Sequence, residues 1–352
     1  MLVSIVIRTL NEALHLNELL EGIADQALPD GWSYEVILVD SGSTDDTVSI
    51  AERHHCKVLH ISKQEFTFGC SLNRGCDQTS GEVIVMISGH CVPATREWLR
   101  ELVTPIADGR VNYTYGRQLG RDSTKYSETR VFEKFFPDRT LIPQQGFFTN
   151  NANAALSRST YQQYRFDETL TGLEDMHLAK RLVEDGGLIG YIAEAPVYHI
   201  HDEEWLQVRY RYEREAIALA SIMPETRFGF RDFLSAFSRS VLKDTYRALQ
   251  AGKLISVATT IYQFRFNQFW GGYQGMRLAQ NVARISSKDY FYPDRVYIKK
   301  RFNEEHSHRP ATDEGTQQPS SGEKLSDNPQ KTTVSVDAGH TSRAGVCQPG
   351  DY

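Results

Sequence analysis

The first hundred residues alternate short β-branched runs with stretches of helical periodicity, and this rhythm narrows the possible folds more than any other feature. Val3–Ile7, Glu35–Val39 and Val83–Ile87 are predominantly apolar runs, and Lys57–Ile61 reads as a further strand. Between them lie helical patterns over Glu12–Ala24, Asp46–Arg53 and Ser71–Thr79, and a further one follows over Trp98–Ile106. A strand covered on only one face alternates apolar with polar residues. Predominantly apolar strands separated by helices instead predict a parallel sheet buried on both faces. Ligands of such sheets bind at the carboxyl ends of the strands, near a reversal of strand order. The strand exits are therefore where chemistry is expected.

The first strand exits into Arg8-Thr9-Leu10-Asn11-Glu12, with no glycine-rich dinucleotide turn, which argues against a Rossmann-type oxidoreductase. The second exits into Asp40-Ser41-Gly42-Ser43-Thr44-Asp45. Asp40 stands at the strand terminus, where a carboxylate can accept hydrogen bonds from a base or a ribose. Ser43, Thr44 and Asp45 read equally as ligand contacts and as caps of the following helix. The fourth exits into Ser88-Gly89-His90-Cys91.

After Val111 the rhythm changes. A strand is expected over Tyr113–Arg117, then an aromatic, loop-rich stretch to Asn153. Helices are expected over Ala154–Tyr164 and Glu174–Glu184, and strands over Ile189–Ile192 and Pro196–His199. Asn151 and Asn153 carry amides suited to sugar hydroxyls, or belong to a turn before a tightly packed helix. His199 and His201 end a strand two residues apart, so both rings project from one face. Arg117 and the series Arg209, Arg211 and Arg214 are further sources of positive charge, although the series reads first as a solvated helix face. Residues 205–300 are mainly helical, and their aromatic-arginine mixtures suit core packing, a membrane interface or a dimer contact. Beyond Phe302 the chain is too polar to offset its ordering entropy, so a disordered tail is expected.

The ordered set Ser4-Ile5-Val6-Ile7-Arg8-Thr9-Leu10-Asn11-Glu12, Val39-Asp40-Ser41-Gly42-Ser43, Asn73-Arg74-Gly75, Gly81-Glu82-Val83-Ile84 and Thr171-Gly172-Leu173-Glu174-Asp175 resembles the family 2 inverting glycosyltransferases. The resemblance covers roughly residues 1–205. It implies an α/β fold of the GT-A type, a Rossmann-like mixed sheet, as a catalytic domain over 1–205. A helical extension over 206–301 and the tail over 302–352 would follow it. It further implies a nucleotide-sugar donor, a glycan or lipid-linked acceptor, and a role in cell-envelope or exopolysaccharide synthesis. Thr9, Glu12 and Asp40 would contact the nucleoside, with Arg8, Asn73, Arg74, Ser88, His90 and Arg117 near the donor. Asp175 would be the base beside Glu174, and Asn151 and Asn153 would face the acceptor or sugar.

The family's usual Asp-x-Asp metal element is replaced here by Ser88-Gly89-His90. A divalent cation, Mn²⁺ or Mg²⁺, would then depend on His90 and His201, with His199 second. Hydrogen bonding by His90 to a phosphate, or a donor with a single phosphate, are the other accounts. A non-catalytic sugar-nucleotide-binding relative is the alternative function.

Composition supplies exclusions. Among 352 residues the net charge is −6, so no global basic field points to nucleic acid. Five scattered cysteines without CxxC spacing suggest reduced thiols and a cytoplasmic setting. No apolar run reaches the ~20 residues a spanning helix needs. Attachment to the inner face of the cytoplasmic membrane is the furthest membrane role expected.

Overall fold

The computed structural model describes residues 1–280. Strand β1 (Leu2–Thr9) is followed by α1 (Ala13–Ala24), β2 (Ser33–Asp40), α2 (Thr47–Arg53), β3 (Lys57–His60), α3 (Phe68–Asp77) and β4 (Val83–Ser88). These strands are parallel, in the order β3-β2-β1-β4. Along β1, β4 and the second half of β2 the alternation is between two buried faces, whereas β3, at the sheet edge, exposes Lys57 and His60. Ile5, Ile7, Val85 and Ile87 pack with Leu16, Leu19 and Ile23 of α1 on one side. Val6, Ile37, Val39, Ile84 and Met86 pack with Leu72 and Cys76 of α3 on the other. Gly75 lets α3 lie flat on the sheet, since a Cβ there would stand 2.5 Å from Val6 Cγ1. Each such aliphatic side chain contributes about 1.5–3 kcal/mol when fully buried.

Register then fixes the rim. Arg8 of β1 lies opposite Ser88 of β4, and Thr9 lies opposite Asp40 of β2. The polar residues that end three strands therefore share one edge of the sheet.

The second half adds β5 (Cys91–Pro93), α4 (Trp98–Ala107), β6 (Tyr113–Leu119), α5 (Tyr126–Phe135), β7 (Asn153–Ser157), α6 (Arg158–Tyr164), α7 (Glu174–Glu184) and β8 (Ile189–His199). The full order is β3-β2-β1-β4-β7-β6-β8-β5, with β7 antiparallel to both neighbours, so the sheet is mixed, as expected from the sequence. Three expectations change here. Asn153–Ser157 is a strand rather than the start of a helix, because it fills the gap between β4 and β6. The stretch expected to be loop contains α5. The two strands expected around Pro196 are one, with a register shift opposite Gly116 and Gln118 that accommodates the proline.

Three long helices follow: α8 (Trp205–Ile222), α9 (Phe230–Gln250) and α10 (Leu254–Ala279). A Cβ at Gly271 or Gly275 would fall 2.3 or 2.2 Å from the carbonyls of Arg209 and Glu213, so α10 rests on the backbone of α8. A buried ion pair, Arg265 Nε to Asp244 at 2.8 Å, joins α10 to α9, and Ser127 of α5 donates to the same carboxylate at 2.7 Å. The aromatic-arginine mixture here is thus substantially core: Phe233, Phe264, Arg265 and Phe269 are buried. The tail expected over 302–352 lies outside the described residues.

Candidate active site

The exits of β1 and β2 are welded together by side chains bonding the opposite loop's backbone. Asn11, in the left-handed region at φ 58°, accepts from Thr44 N at 2.8 Å. Ser43 accepts from Asn11 N, Thr47 from Glu12 N and Asp45 from Ala13 N. Ser43, Thr44 and Asp45 thus brace the neighbouring strand's loop, and the N-cap of α2 is Asp46. Asp40 is buried at the end of β2 and accepts from Gly42 N and Ser43 N at 3.0 and 3.2 Å, with His60 Nδ1 at 3.6 Å. Thr9 is buried beside it and donates to Val39 O.

Next to this rim lies a cleft of about 390 Å³, lined among others by Arg8, Ser88, His90, Asn151, Glu174 and Asp175. The residues preceding α7 deliver its two carboxylates. Leu173 holds φ 55°, a conformation costly for a side chain of that size. Both carboxylates then enter the first helical turn, where free N–H groups and the helix dipole favour negative charge. Asp175 accepts from Asn151 N and from Met176 N, each at 2.8 Å. Burial and the adjoining Glu174 charge nevertheless push its carboxyl up to about 7. The Glu174 carboxylate meets Arg8 Nη1 at 3.3 Å. A Cβ built on Gly172 would meet only Arg214 Nε, at 3.7 Å, so this backbone lies open to the cleft.

Opposite, three imidazoles cluster. His90 and His199 stack with centroids 5.1 Å apart, and His199 and His201 lie 4.1 Å apart. Each Nδ1–H donates outward: His90 to Glu12 at 2.8 Å, His199 to Gln118 at 2.7 Å, and His201 to Glu128 at 2.8 Å. Behind them, Arg211 binds Glu128 at 2.8 Å and grips Glu203 through Nε and Nη2. Burial alone would raise Glu203, but the Arg211 and His201 charges outweigh it and bring Glu203 down to about 2. Arg214 lies 4.4 Å over the Phe68 ring, and its buried Nε–H has no hydrogen-bond partner.

The remaining candidates sit elsewhere. Asn73 clips the chain at Phe166 through both its amide and its carbonyl and bonds Glu168, while Arg74 pairs with Glu65 on the surface. Asn153 is fully buried and bonds Trp98 Nε1 and the carbonyls of Ala195 and Arg117. It holds the sheet together, and its side chain does not face the cleft. Arg117 lies on β6 with Nε buried and unbonded. Arg209 bonds Asn267 at 3.2 Å, and Arg211 and Arg214 line the cleft, so that series is not a solvated face. Phe68, Gln118, Glu128 and Glu203 are cleft or supporting residues that the sequence did not single out. Gln118, next to Arg117, and Glu203, two residues after His201, stood close to residues already suspected.

Known proteins resemble this chain over part of its length. It is 28% identical over 189 residues to the O-antigen chain rhamnosyltransferase WbaN of Salmonella anatum, covering 51% of this chain and 60% of that protein. It is 25% identical over 215 residues to the O-antigen chain rhamnosyltransferase RfbN of Salmonella typhimurium, covering 57% and 67%. The chain thus spans less than two thirds of the length of WbaN. Among solved structures, a mannosyltransferase from Pyrobaculum calidifontis in complex with GDP-Man and Mn²⁺ aligns with a TM-score of 0.49 and 18% identity, over 88% of this chain and 81% of that one. Residues 4–165, which carry β1 through α6 and with them the rim of Arg8, Asp40 and His90, match the model of glycosyl transferase family 2.

Proposed function

We propose that this protein transfers a glycosyl group from a nucleotide-sugar donor to a hydroxyl of a glycan or lipid-linked acceptor, with inversion at the anomeric carbon. Inversion needs one base to take the acceptor's proton as its oxygen attacks opposite the leaving phosphate. Asp175 carries this reading. Its carboxyl lines the cleft, two backbone N–H groups fix it, and burial with Glu174 lifts it to about 7, close to the value a base needs near neutrality. Arg8 holds Glu174 aside, which leaves the two carboxylates with different tasks.

The leaving group is anionic, and the unpartnered Nε–H of Arg214 in the cleft wall suits a phosphate oxygen. Asp40 and Thr9, on the adjoining rim, suit the nucleoside. The donor set around His90 and His201 fits a divalent cation, since each Nδ1–H is tied to an outer acceptor and the second ring nitrogen is left over. Such an ion, when bound, supplies charge neutralisation for the departing phosphate. Assembly of cell-envelope polysaccharide draws support from the O-antigen chain rhamnosyltransferases among the relatives. No helix among the described residues is long and apolar enough to cross a membrane.

The test is release of nucleotide from a panel of UDP-, GDP-, dTDP- and CMP-sugars in the presence of saccharide acceptors, with the product's anomeric configuration read by NMR. Transfer with inversion supports the proposal. Donor binding without any turnover favours the alternative, a sugar-nucleotide-binding relative with a degenerate metal element.

A further inference from the structure

We propose that His199 joins His90 and His201 in a three-imidazole site that takes a transition-metal ion in preference to Mg²⁺. Backbone pairing brings the three residues together. Cys91, next to His90, lies opposite His199 across β5 and β8, and Ile200 N donates to His90 O at 3.2 Å. His201 follows one residue later. One ring nitrogen from each of the three lies within 4.8 Å of the other two. Every Nδ1 is already committed to Glu12, Gln118 or Glu128, so Nε2 is the atom each ring has left to offer.

Outer acceptors on the far nitrogen are how metal-binding histidines are held in tautomer and orientation. Phe132, stacked on His199 at 5.8 Å and 14°, fixes that ring from behind. Glu12, Glu128 and Glu203 surround the cluster against the Arg211 guanidinium and the Lys125 ammonium, which lies 3.5 Å from His201 O, so among the described residues the charge favours a cation over an anion. Imidazole donors suit later transition-metal ions such as Co²⁺ and Zn²⁺ and compete poorly for Mg²⁺, which prefers oxygen ligands and water. In this arrangement the histidines do what carboxylates do in the Asp-x-Asp element. The inference rests on the proposed function only for the ion's use and not for its binding.

The experiment titrates metal-stripped full-length protein with Co²⁺, without nucleotide sugar. It reads visible d–d absorption, with equilibrium dialysis for stoichiometry. One equivalent bound is expected, displaced by Zn²⁺ in excess but not by a tenfold excess of Mg²⁺. His199→Ala and His90→Ala should each weaken binding by at least tenfold and change the spectrum. X-ray absorption on the unaltered chain counts the ligands even if His199→Ala does not fold, and three imidazoles are expected. No stoichiometric Co²⁺ binding, fewer than three imidazoles, or a folded His199→Ala variant with an unchanged spectrum would overturn the proposal. A chain that binds Co²⁺ as described but transfers no sugar would sink the proposed function alone. Transfer without metal binding would sink only this inference.

Discussion

Changing Asp175 to Asn isolates the base from the fold, because it removes the base while its two effects on stability offset each other. On the catalytic side, losing a positioned general base costs about 10²–10⁴ in rate, or about 3–5.5 kcal/mol of barrier. On the stability side, an Asn oxygen can keep the bond from Asn151 N or the one from Met176 N, but not both, since its NH₂ repels the other donor. That loss is worth about 1–3 kcal/mol. Against it stands the wild-type cost of a buried carboxylate beside Glu174. Its carboxyl, raised from 3.8 to about 7, binds a proton more tightly folded than unfolded. This stabilises the folded state below pH 4 and is lost as pH rises through 7, and a shift of that size is on the order of a few kcal/mol. Asn carries no such cost. Asp175→Asn should therefore unfold at pH 8 within about 2 kcal/mol of wild type. Sugar transfer should fall at least a hundredfold, and donor affinity measured by calorimetry should change less than threefold. Transfer at the wild-type rate would refute the assignment, and so would loss of donor binding in parallel with activity.

Other outcomes follow from the same geometry. The wild-type kcat/KM should rise with pH on an acid limb centred near 7, as Asp175 loses its proton, and a limb near 4 would contradict the raised value. Arg211→Met leaves Glu128 and Glu203 without their shared guanidinium, and chemical denaturation at pH 7 should show a loss of about 3–5 kcal/mol. Because both carboxyls are held low in the wild type, their stabilisation is present above about pH 4.5 and lost toward pH 2. The deficit of Arg211→Met should accordingly shrink over that window, and a deficit independent of pH would count against the ion-pair account. Gly75→Ala forces a methyl against Val6 and Val39, and about 1–3 kcal/mol should be lost on thermal unfolding without a specific effect on KM.

The first hundred residues were readable because their central strands β1 and β4 are buried on both faces and their helices on one, so period and burial coincide. Asp40, His90 and Asp175 were readable because each ends or begins a strongly patterned element. Tyr126–Phe135 was not, since the face it buries includes Ser127 and Glu128, and polar residues on the inner face erase the helical pattern. That helix carries Glu128, so the support of His201 was hidden with it. Asn153–Ser157, with two alanines and a leucine, has helical propensity. It is extended because β4 and β6 both pair with it, and such pairing overrides local preference. Arg211 and Arg214 looked solvated because their partners Glu128, Glu203 and Phe68 lie outside the helix that carries them.

The central claim is that strand rims and the start of α7 form one site around an activated sugar. The direct measurement is a crystal structure of Asp175→Asn soaked with the donor that supports transfer. The anomeric carbon should lie in the cleft between Arg214 and the substituted side chain, with room for one hydroxyl oxygen between that carbon and the new amide, and the nucleoside should rest along Asp40. A donor held on another surface, or one with its phosphates turned toward the substituted position and its sugar away, would contradict the account.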